Sequence, residues 1–260
     1  MRARAYIVQK EAESEADCQD RFSINPGTGS VAVSDGMSQS LFPKYWAELL
    51  ARRYTSDSGW VPSRENVKAL SPLWLERVEE RLGEMRSEGR DTWRAEGMLA
   101  EGGSAGATLV GLRTSPDGSW RCDVLGDSCL VELEGNRIKG IFCSADQFDN
   151  YPDYYDSNPG REGKGELRTV TGRWNVPPSP TTTLLLVSDA LGAFLSSLRG
   201  TPEEAARVRE LLSVESADEL SILAGYWRKE GMHNDDVTLV VVTEECHPGD
   251  AFNRQEEWVW

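Results

Sequence analysis

Four apolar runs in this chain carry an aspartate at one end. They are Val31-Ala32-Val33-Ser34-Asp35-Gly36, Cys122-Asp123-Val124-Leu125-Gly126-Asp127-Ser128, Leu184-Leu185-Leu186-Val187-Ser188-Asp189-Ala190 and Asn234-Asp235-Asp236-Val237-Thr238-Leu239-Val240-Val241-Val242. A carboxylate at a strand end can be aimed by rigid backbone into a shared cleft. Each Asp taken singly, Asp35 before Gly36 above all, reads first as a turn residue. Several converging carboxylates repel one another and take up protons unless a cation neutralises them. An all-oxygen donor set selects a hard ion, Mg²⁺ or Mn²⁺. Two such ions can deprotonate a water and stabilise a displaced oxygen, which is the help that phosphate-ester hydrolysis needs. On residue types alone, the reading is a two-metal hydrolase acting on a phosphate.

Composition narrows the alternatives. The five cysteines (Cys18, Cys122, Cys129, Cys143 and Cys246) form no CxxC pair and are odd in number, which argues against a disulfide framework and a zinc ribbon. His233 and His247 are the only histidines, too few for a histidine-rich zinc or iron site. A net charge of −15 disfavours nucleic acid and anionic membrane surfaces as partners, and most of it reads as solubility. The longest apolar run, Leu184 to Val187, is strand-sized rather than membrane-spanning. The N-terminus lacks a signal-peptide pattern, so the expectation is a cytoplasmic protein. At 260 residues, 39% hydrophobic with nine Trp, the chain can build a substantial core.

The elements that would position these aspartates follow from periodicity. Ala3 to Gln9 reads as a strand, followed by an acidic loop from Lys10 to Asp20, and Val31 to Ser34 as another strand. Ser40 is placed to cap a helix running to about Tyr54, with Tyr45, Trp46, Leu49 and Leu50 as its apolar stripe. A longer helical region over about Pro72 to Leu99 carries Leu75, Val78, Leu82 and Met85. From Ala107 to Phe142 short β-type runs alternate with turns at Ser115-Pro116-Asp117-Gly118 and Glu134-Gly135-Asn136-Arg137, an antiparallel meander. Residues 146–180 are rich in Pro, Gly, Asp and Tyr and read as a flap-like insertion. A strand at Thr183 to Ser188, a helix near Leu191 to Leu198, a helix start at Thr201-Pro202-Glu203-Glu204, a capping box at Ser216/Glu219 and a closing strand at Val237 to Thr243 complete the chain. Strands in two groups without a βαβ rhythm point to two antiparallel sheets packed face to face and covered by helices. A doubly wound parallel sheet is the runner-up, and no Gly-rich phosphate loop follows the first strand.

The ordered set Gln19-Asp20-Arg21-Phe22, Val33-Ser34-Asp35-Gly36-Met37, Gly106-Ala107-Thr108, Leu125-Gly126-Asp127-Ser128, Val187-Ser188-Asp189 and Asp235-Asp236-Val237-Thr238-Leu239 resembles the type 2C metal-dependent protein phosphatases, in their bacterial form. The likeness runs from about Ala3 to Thr243. It implies an α+β fold, a four-layer αββα sandwich with two central antiparallel sheets flanked by helices. Residues 1–245 would form that domain and 246–260 a C-terminal tail. It also implies hydrolysis of phosphoserine or phosphothreonine by metal-activated water at a binuclear Mg²⁺ or Mn²⁺ centre. Asp35 would bridge both ions with the Gly36 carbonyl as a further ligand, and Asp189 and Asp235 would complete the first ion. Asp20 would act beside the ions through water, and Asp127 would hold a third, weaker ion. The family alignment favours Asp235 over the adjacent Asp236. The partners implied are a phosphoprotein and a cognate Ser/Thr kinase, with a monomer favoured.

The chain departs from the family pattern in places. Ala190 stands where Gly usually follows the third strand-end Asp, and Met37-Ser38-Gln39 replaces the bacterial Met-Gly-Gly. Met37 also occupies the position of the histidine of animal relatives. Glu15 and Ala16 occupy the region of the phosphate-binding Arg, and Cys129 follows Gly126-Asp127-Ser128 in place of Arg. No phosphate-gripping residue is identified. These differences sustain an alternative, a catalytically weak pseudophosphatase-like module that binds phosphoproteins or a regulatory partner. Among single residues, Asp117 and Asp123 read as turn or surface residues. Arg21 reads as a phosphate contact or a surface salt bridge, and His233 as a loop histidine. Cys122 and Cys129 read as strand residues. Tyr151, Tyr154 and Tyr155 would shape or simply pack the insertion, and Trp258-Val259-Trp260 would dock on the domain or a partner.

Overall fold

The apolar runs build two antiparallel sheets stacked face to face, each covered on its outer side by helices. The computed structural model describes residues 1–144, 148, 152–175 and 181–244. In chain order the strands are β1 (Arg2–Val8), β2 (Arg21–Asn25), β3 (Ser30–Ser34), β4 (Gly106–Ala107), β5 (Leu109–Thr114), β6 (Ser119–Leu125), β7 (Cys129–Glu134), β8 (Arg137–Phe142), β9 (Tyr155–Asp156), β10 (Arg168–Arg173), β11 (Thr182–Val187) and β12 (Val237–Thr243). The helices are α1 (Pro43–Ser56), α2 (Arg64–Lys68), α3 (Ser71–Ser87), α4 (Trp93–Ala100), α5 (Asp189–Leu198), α6 (Glu204–Leu212) and α7 (Ala217–Lys229). One sheet has the order β1-β12-β11-β7-β8 and the other β10-β6-β5-β3-β2, while β4 and β9 form a two-stranded ribbon. The expected αββα sandwich is therefore the architecture found. None of the pairings among these strands is parallel.

The central strands read as unbroken apolar runs because both of their faces are covered. In β11, Leu184 and Leu186 point into the core between the sheets, and Leu185 and Val187 point at the outer helices. In β12, Val240 and Val242 face inward while Leu239 and Val241 face out. Successive strand residues point to opposite faces, so a doubly covered strand needs apolar residues at every position. On the other sheet Ala32 faces the helices, where Trp46, Leu50 and Tyr54 of α1 are fully buried.

Several boundaries differ from the sequence expectation, each for a local reason. Strand β2 was not anticipated, since Arg21–Asn25 is mixed in polarity and half-buried. Its place is set by pairing with β3. Helix α1 starts at Pro43 rather than after Ser40, because a proline at the first helical position bars extension backwards. The Ser40 hydroxyl instead donates to the Met37 carbonyl (2.7 Å) and accepts from the Gly106 N–H (3.0 Å). The helical region over 72–99 is two helices, interrupted beyond Ser87 where Gly89 adopts a left-handed φ of 72°. The buried stripe of α3 is Trp74, Val78 and Leu82, and Leu75 is exposed. Helix α6 starts at Glu204, and the Thr201 hydroxyl donates back to the Leu198 carbonyl. Ser216 does cap α7, accepting from the Glu219 N–H at 3.2 Å.

The meander of 107–142 is present, but it changes sheets midway. Strands β5 and β6 pair in one sheet and β7 and β8 in the other, so Gly126-Asp127-Ser128 is the crossover between them. Within 146–180, β10 pairs with β6 as an edge strand and Tyr155 pairs with Ala107. The Tyr155 hydroxyl donates to the Pro62 carbonyl (2.5 Å), and the Trp46 indole N–H donates to the Tyr155 carbonyl at 2.9 Å. Tyr155 therefore packs this segment down. Tyr151, Cys246, His247 and the tail Trp258-Val259-Trp260 lie outside the described residues. No helix among the described residues is long and apolar enough to cross a membrane.

Asp123 is a correction to the sequence reading: it lies in β6, fully buried. Its Oδ1 accepts from Arg121 Nη2 (2.9 Å), Arg121 Nε (3.1 Å) and the Thr169 hydroxyl (2.7 Å). Its Oδ2 accepts from the Tyr54 hydroxyl (3.1 Å) and faces Arg113 Nη1 at 3.5 Å. The Arg113 guanidinium stacks 3.8 Å over the Tyr54 ring. Asp123 thus ties α1 to three strands. Removing one partner of a buried, hydrogen-bonded charge cluster strands the others. Asp123→Ala is expected to lower unfolding stability by about 3 kcal/mol in urea denaturation, and a loss below about 1 kcal/mol would refute the network's role.

Candidate active site

The antiparallel ladders bring the sequence-picked aspartates to one edge of the sandwich. Arg21 opposes Ser34 across β2 and β3, so Asp20 and Asp35 follow as neighbours one step past the ladder. Val187 opposes both Leu239 of β12 and Cys129 of β7, so Asp189 and the Asp235-Asp236 pair leave the other sheet at the same edge. The crossover carrying Asp127 joins the two groups. Asp20, Asp127 and Asp236 are buried, while Asp35, Asp189 and Asp235 are partly exposed.

Backbone and hydroxyl contacts fix these arms. The Thr108 N–H donates to the Asp35 carbonyl (2.9 Å), and the Asp35 N–H donates to the Thr108 hydroxyl (3.1 Å). The same hydroxyl shares a 2.7 Å hydrogen bond with Ser128, tying the Asp35 arm to the Asp127 arm. Gly36 bridges Ala107, and a Cβ on it would lie 2.9 Å from Pro43 atoms and 3.1 Å from the Gln19 carbonyl. Any larger residue would push the start of α1 off this loop. Ser188 stands at the N-terminal boundary of α5, its hydroxyl accepting from the Thr238 N–H (2.9 Å), and Asp189 follows in the first turn, where the helix dipole favours a carboxylate. One Asp189 oxygen accepts the Ala190 N–H at 2.6 Å.

The adjacent pair Asp235-Asp236 divides its work. Asp236 accepts from the Gln19 N–H (2.7 Å) with one oxygen and from the Lys10 N–H (3.0 Å) with the other. Both of its oxygens anchor the acidic loop. The Asp235 side chain is 46% exposed, accepts the Asp236 N–H (2.9 Å) and stands 3.9 Å from Lys10 Nζ. Asp235 repels Asp35 and Asp189, and Asp236 repels Asp20 and Asp189. Asp20 accepts from the Thr238 hydroxyl at 2.7 Å with Oδ2, while its Oδ1 is buried with no hydrogen-bond partner.

The electrostatics of this edge are those of crowded anions. Burial first, then repulsion from Asp20, Asp189, Asp127 and Asp235, raises the Asp35 carboxyl well above the usual range. Burial and Asp236 push Asp20 up to about 8, against the opposing hydroxyls of Thr238 and Ser188. Asp189 is raised to about 6 by burial and then Asp235, with the Ala190 N–H and His233 acting the other way. Among the described residues no three His, Cys, Asp or Glu side chains are grouped tightly enough to enclose one ion. The fit to a divalent cation lies in the donor chemistry: oxygen donors from both sheets, the buried Asp20 Oδ1 without a hydrogen-bond partner, and the Asp20, Asp35 and Asp189 carboxyls raised by burial and by neighbouring aspartates.

Other sequence-picked residues fall differently. Arg21 is buried and donates to the Cys18 (3.0 Å) and Asp20 (2.5 Å) carbonyls, so it shapes the loop and is not a surface salt bridge. His233 is an exposed loop residue whose carbonyl accepts the Asp235 N–H. The roles of Thr238 and of Asp236 as loop anchor were not foreseen. Their only signal was adjacency to Asp235 within one motif.

No family model matches the chain, and no curated protein sequence matches it. Solved structures do. The photosystem II phosphatase PBCP superposes with a TM-score of 0.55 at 14% identity, covering 94% of this chain and 98% of that one. PppA, a regulatory component of the type VI secretion system in Pseudomonas aeruginosa, gives 0.52 at 19% identity, over 94% and 97%. The serine/threonine phosphatase Stp1 from Staphylococcus aureus gives 0.53 at 13% identity, over 94% of each. At these identities the likeness is one of fold, and it extends over nearly all of each chain.

The raised carboxyls make stability depend on pH. Unfolded Asp titrates near 3.9, while Asp189 and Asp20 titrate at about 6 and about 8 in the folded chain. The folded state therefore holds protons that the unfolded state releases. The stability these two groups contribute is fully present below about pH 4 and is lost as pH rises through about 6 to about 8. In the presence of a chelator, the urea midpoint is expected to fall across this window, and Mn²⁺ or Mg²⁺ is expected to restore it increasingly toward pH 8. A midpoint that is flat with pH and indifferent to either ion counts against the cluster as a cation site.

Proposed function

We propose that this chain is a metal-dependent phosphoprotein phosphatase that hydrolyses phosphoserine and phosphothreonine with two Mg²⁺ or Mn²⁺ ions. The observation that carries the reading is the meeting of Asp20, Asp35, Asp127, Asp189 and Asp235 at one edge, where burial and mutual repulsion raise Asp20, Asp35 and Asp189. The fold shared with solved phosphatases supports it. Asp35 would hold both ions with the Gly36 carbonyl, Asp189 and Asp235 would complete the first, and Asp127 would hold a weaker third. Bound divalent ions supply the counter-charge for these carboxylates, a water of lowered pKa and a Lewis acid for phosphate oxygens.

The chain's own groups do the positioning. Asp20, held at Oδ2 by Thr238, presents Oδ1 as an acceptor for a water hydrogen. Thr108 fixes the backbone on either side of the Asp35 carboxylate, and Asp236 keeps the 10–19 loop against the site. Met37 has no proton to donate, so the departing serine or threonine oxygen takes its proton from solvent. The open spacing of the carboxylates favours the second reading, a weakly active phosphoprotein-binding module.

Hydrolysis of p-nitrophenyl phosphate separates the two. Turnover is expected with Mn²⁺, is abolished by chelator, and falls at least ~100-fold in Asp35→Asn, a barrier increase of about 2.7 kcal/mol. No metal-dependent turnover, or turnover that survives Asp35→Asn, sinks the enzyme reading. Asp127→Ala is expected to lower turnover while calorimetry still detects at least one tightly bound ion. Complete loss of ion binding in that variant contradicts the weaker-site role.

A further inference from the structure

Two thiols meet beside the Asp127 crossover. Leu130 opposes Phe142 across β7 and β8, so Cys129 and Cys143 stand directly opposite each other one step beyond the ladder. Opposed residues of antiparallel strands have Cα atoms about 4.5 or about 5.5 Å apart, inside the roughly 4.4–6.8 Å that a disulfide spans. Cys143 packs against the apolar cluster that contains Cys129. Cys129 is fully buried, and its thiol donates to the Asp127 carbonyl at 2.9 Å. Cys143 is partly exposed.

The pair is wedged against both halves of the site. A Cβ on Gly192 of α5, the helix that begins at Asp189, would lie 2.9 Å from Cys129 Sγ. Ser144, next to Cys143, donates its N–H to the Gly126 carbonyl (2.9 Å) and accepts the Gly126 N–H on its hydroxyl (2.7 Å). The segment carrying Cys143 is therefore strapped to the loop carrying Asp127. Cys18 and Cys122 are buried elsewhere, Cys122 in the core between the sheets.

We propose that Cys129 and Cys143 form a reversible oxidation site that takes a peroxide and closes to a disulfide, thereby clamping the Gly126-Asp127-Ser128 crossover. Cys143, the accessible thiol, attacks the O–O bond of hydrogen peroxide, giving a sulfenic acid and one water. Cys129 Sγ then displaces the sulfenic hydroxyl, forming the S–S bond and releasing a second water with the thiol proton. Two thiols lose two electrons and one peroxide gains them. A dithiol reductant reverses the bond by exchange. Closing the bond draws Cys129 Sγ from the Asp127 carbonyl and shifts the arm that carries that carboxylate. The disulfide rests on this geometry alone, while its effect on metal binding rests on the phosphatase reading.

The test treats the full chain with hydrogen peroxide, blocks remaining thiols and maps the peptides by mass spectrometry. A Cys129–Cys143 cross-link is expected, reversed by dithiothreitol and absent in Cys143→Ser, with Cys18 and Cys122 still reduced. Cys143 converted to sulfinic acid without a cross-link, or paired instead with another cysteine, overturns the proposal. Mn²⁺ titration of the oxidised and reduced chains then tests the coupling. The weaker binding step is expected to shift on the order of 10-fold, the scale of outer-contact effects on metal affinity. Identical titrations of a fully cross-linked and a reduced chain overturn the coupling. If neither form binds Mn²⁺, the metal reading fails while the cross-link result still decides the oxidation site.

Discussion

Repulsion among carboxylates at one edge of the sandwich is the constraint on which the site depends. Aspartates do not gather by preference, and here the ladders of two separate sheets force them together. Asp20 and Asp35 are set by the pairing of β2 with β3, and Asp189 and Asp235 by β11 and β12. The hydrophobic core between the sheets holds the two ladders in place, with Val31 and Val33 from one sheet and Leu184, Leu186, Val240 and Val242 from the other. Burial of that apolar surface offsets the electrostatic cost of the edge.

Asp123 shows what the same residue type does when the protein supplies its own counter-charge. It is fully buried, yet Arg113, Arg121, Tyr54 and Thr169 satisfy it, and it serves as a cross-brace. Asp236 is a third case, its charge spent on two backbone N–H groups that hold the acidic loop. Asp20, Asp35 and Asp189 are instead raised by burial and by one another's charge or that of neighbouring aspartates. That contrast, rather than the number of aspartates, sets the structural network around Asp123 apart from the crowded edge.

The crossover Gly126-Asp127-Ser128 links the two sheets, so it is where a local change reaches both. Thr108 joins it to the Asp35 arm, Ser144 joins it to the segment that leaves β8, and Cys129 packs on the helix that starts at Asp189. A carboxylate on such a segment responds to changes in chemistry on either side. It is also the point where Cys129 stands with Cys143 opposite it.

Much of this was legible in the chain itself. Apolar runs ending in Asp marked Asp35, Asp127 and Asp189, because a strand covered on both faces must be apolar throughout and a charge can stand only where it ends. The order of the six motifs indicated the sandwich, and the Ser216/Glu219 box located a helix start. Other features needed tertiary context. Strand β2 is half-buried and takes its form from its partner, so its own residues carry little pattern. The orientation of Asp123 and the opposition of Cys129 and Cys143 depend on register. A shift of one residue turns every side chain to the other face. The sequence by itself determined which residue types could hold a hard cation and that strands would deliver them. The tertiary structure decided which aspartates crowd one another at the edge and that Asp123 turns inward to meet Arg113, Arg121, Tyr54 and Thr169, because pairing and burial are properties of the folded neighbours rather than of local sequence.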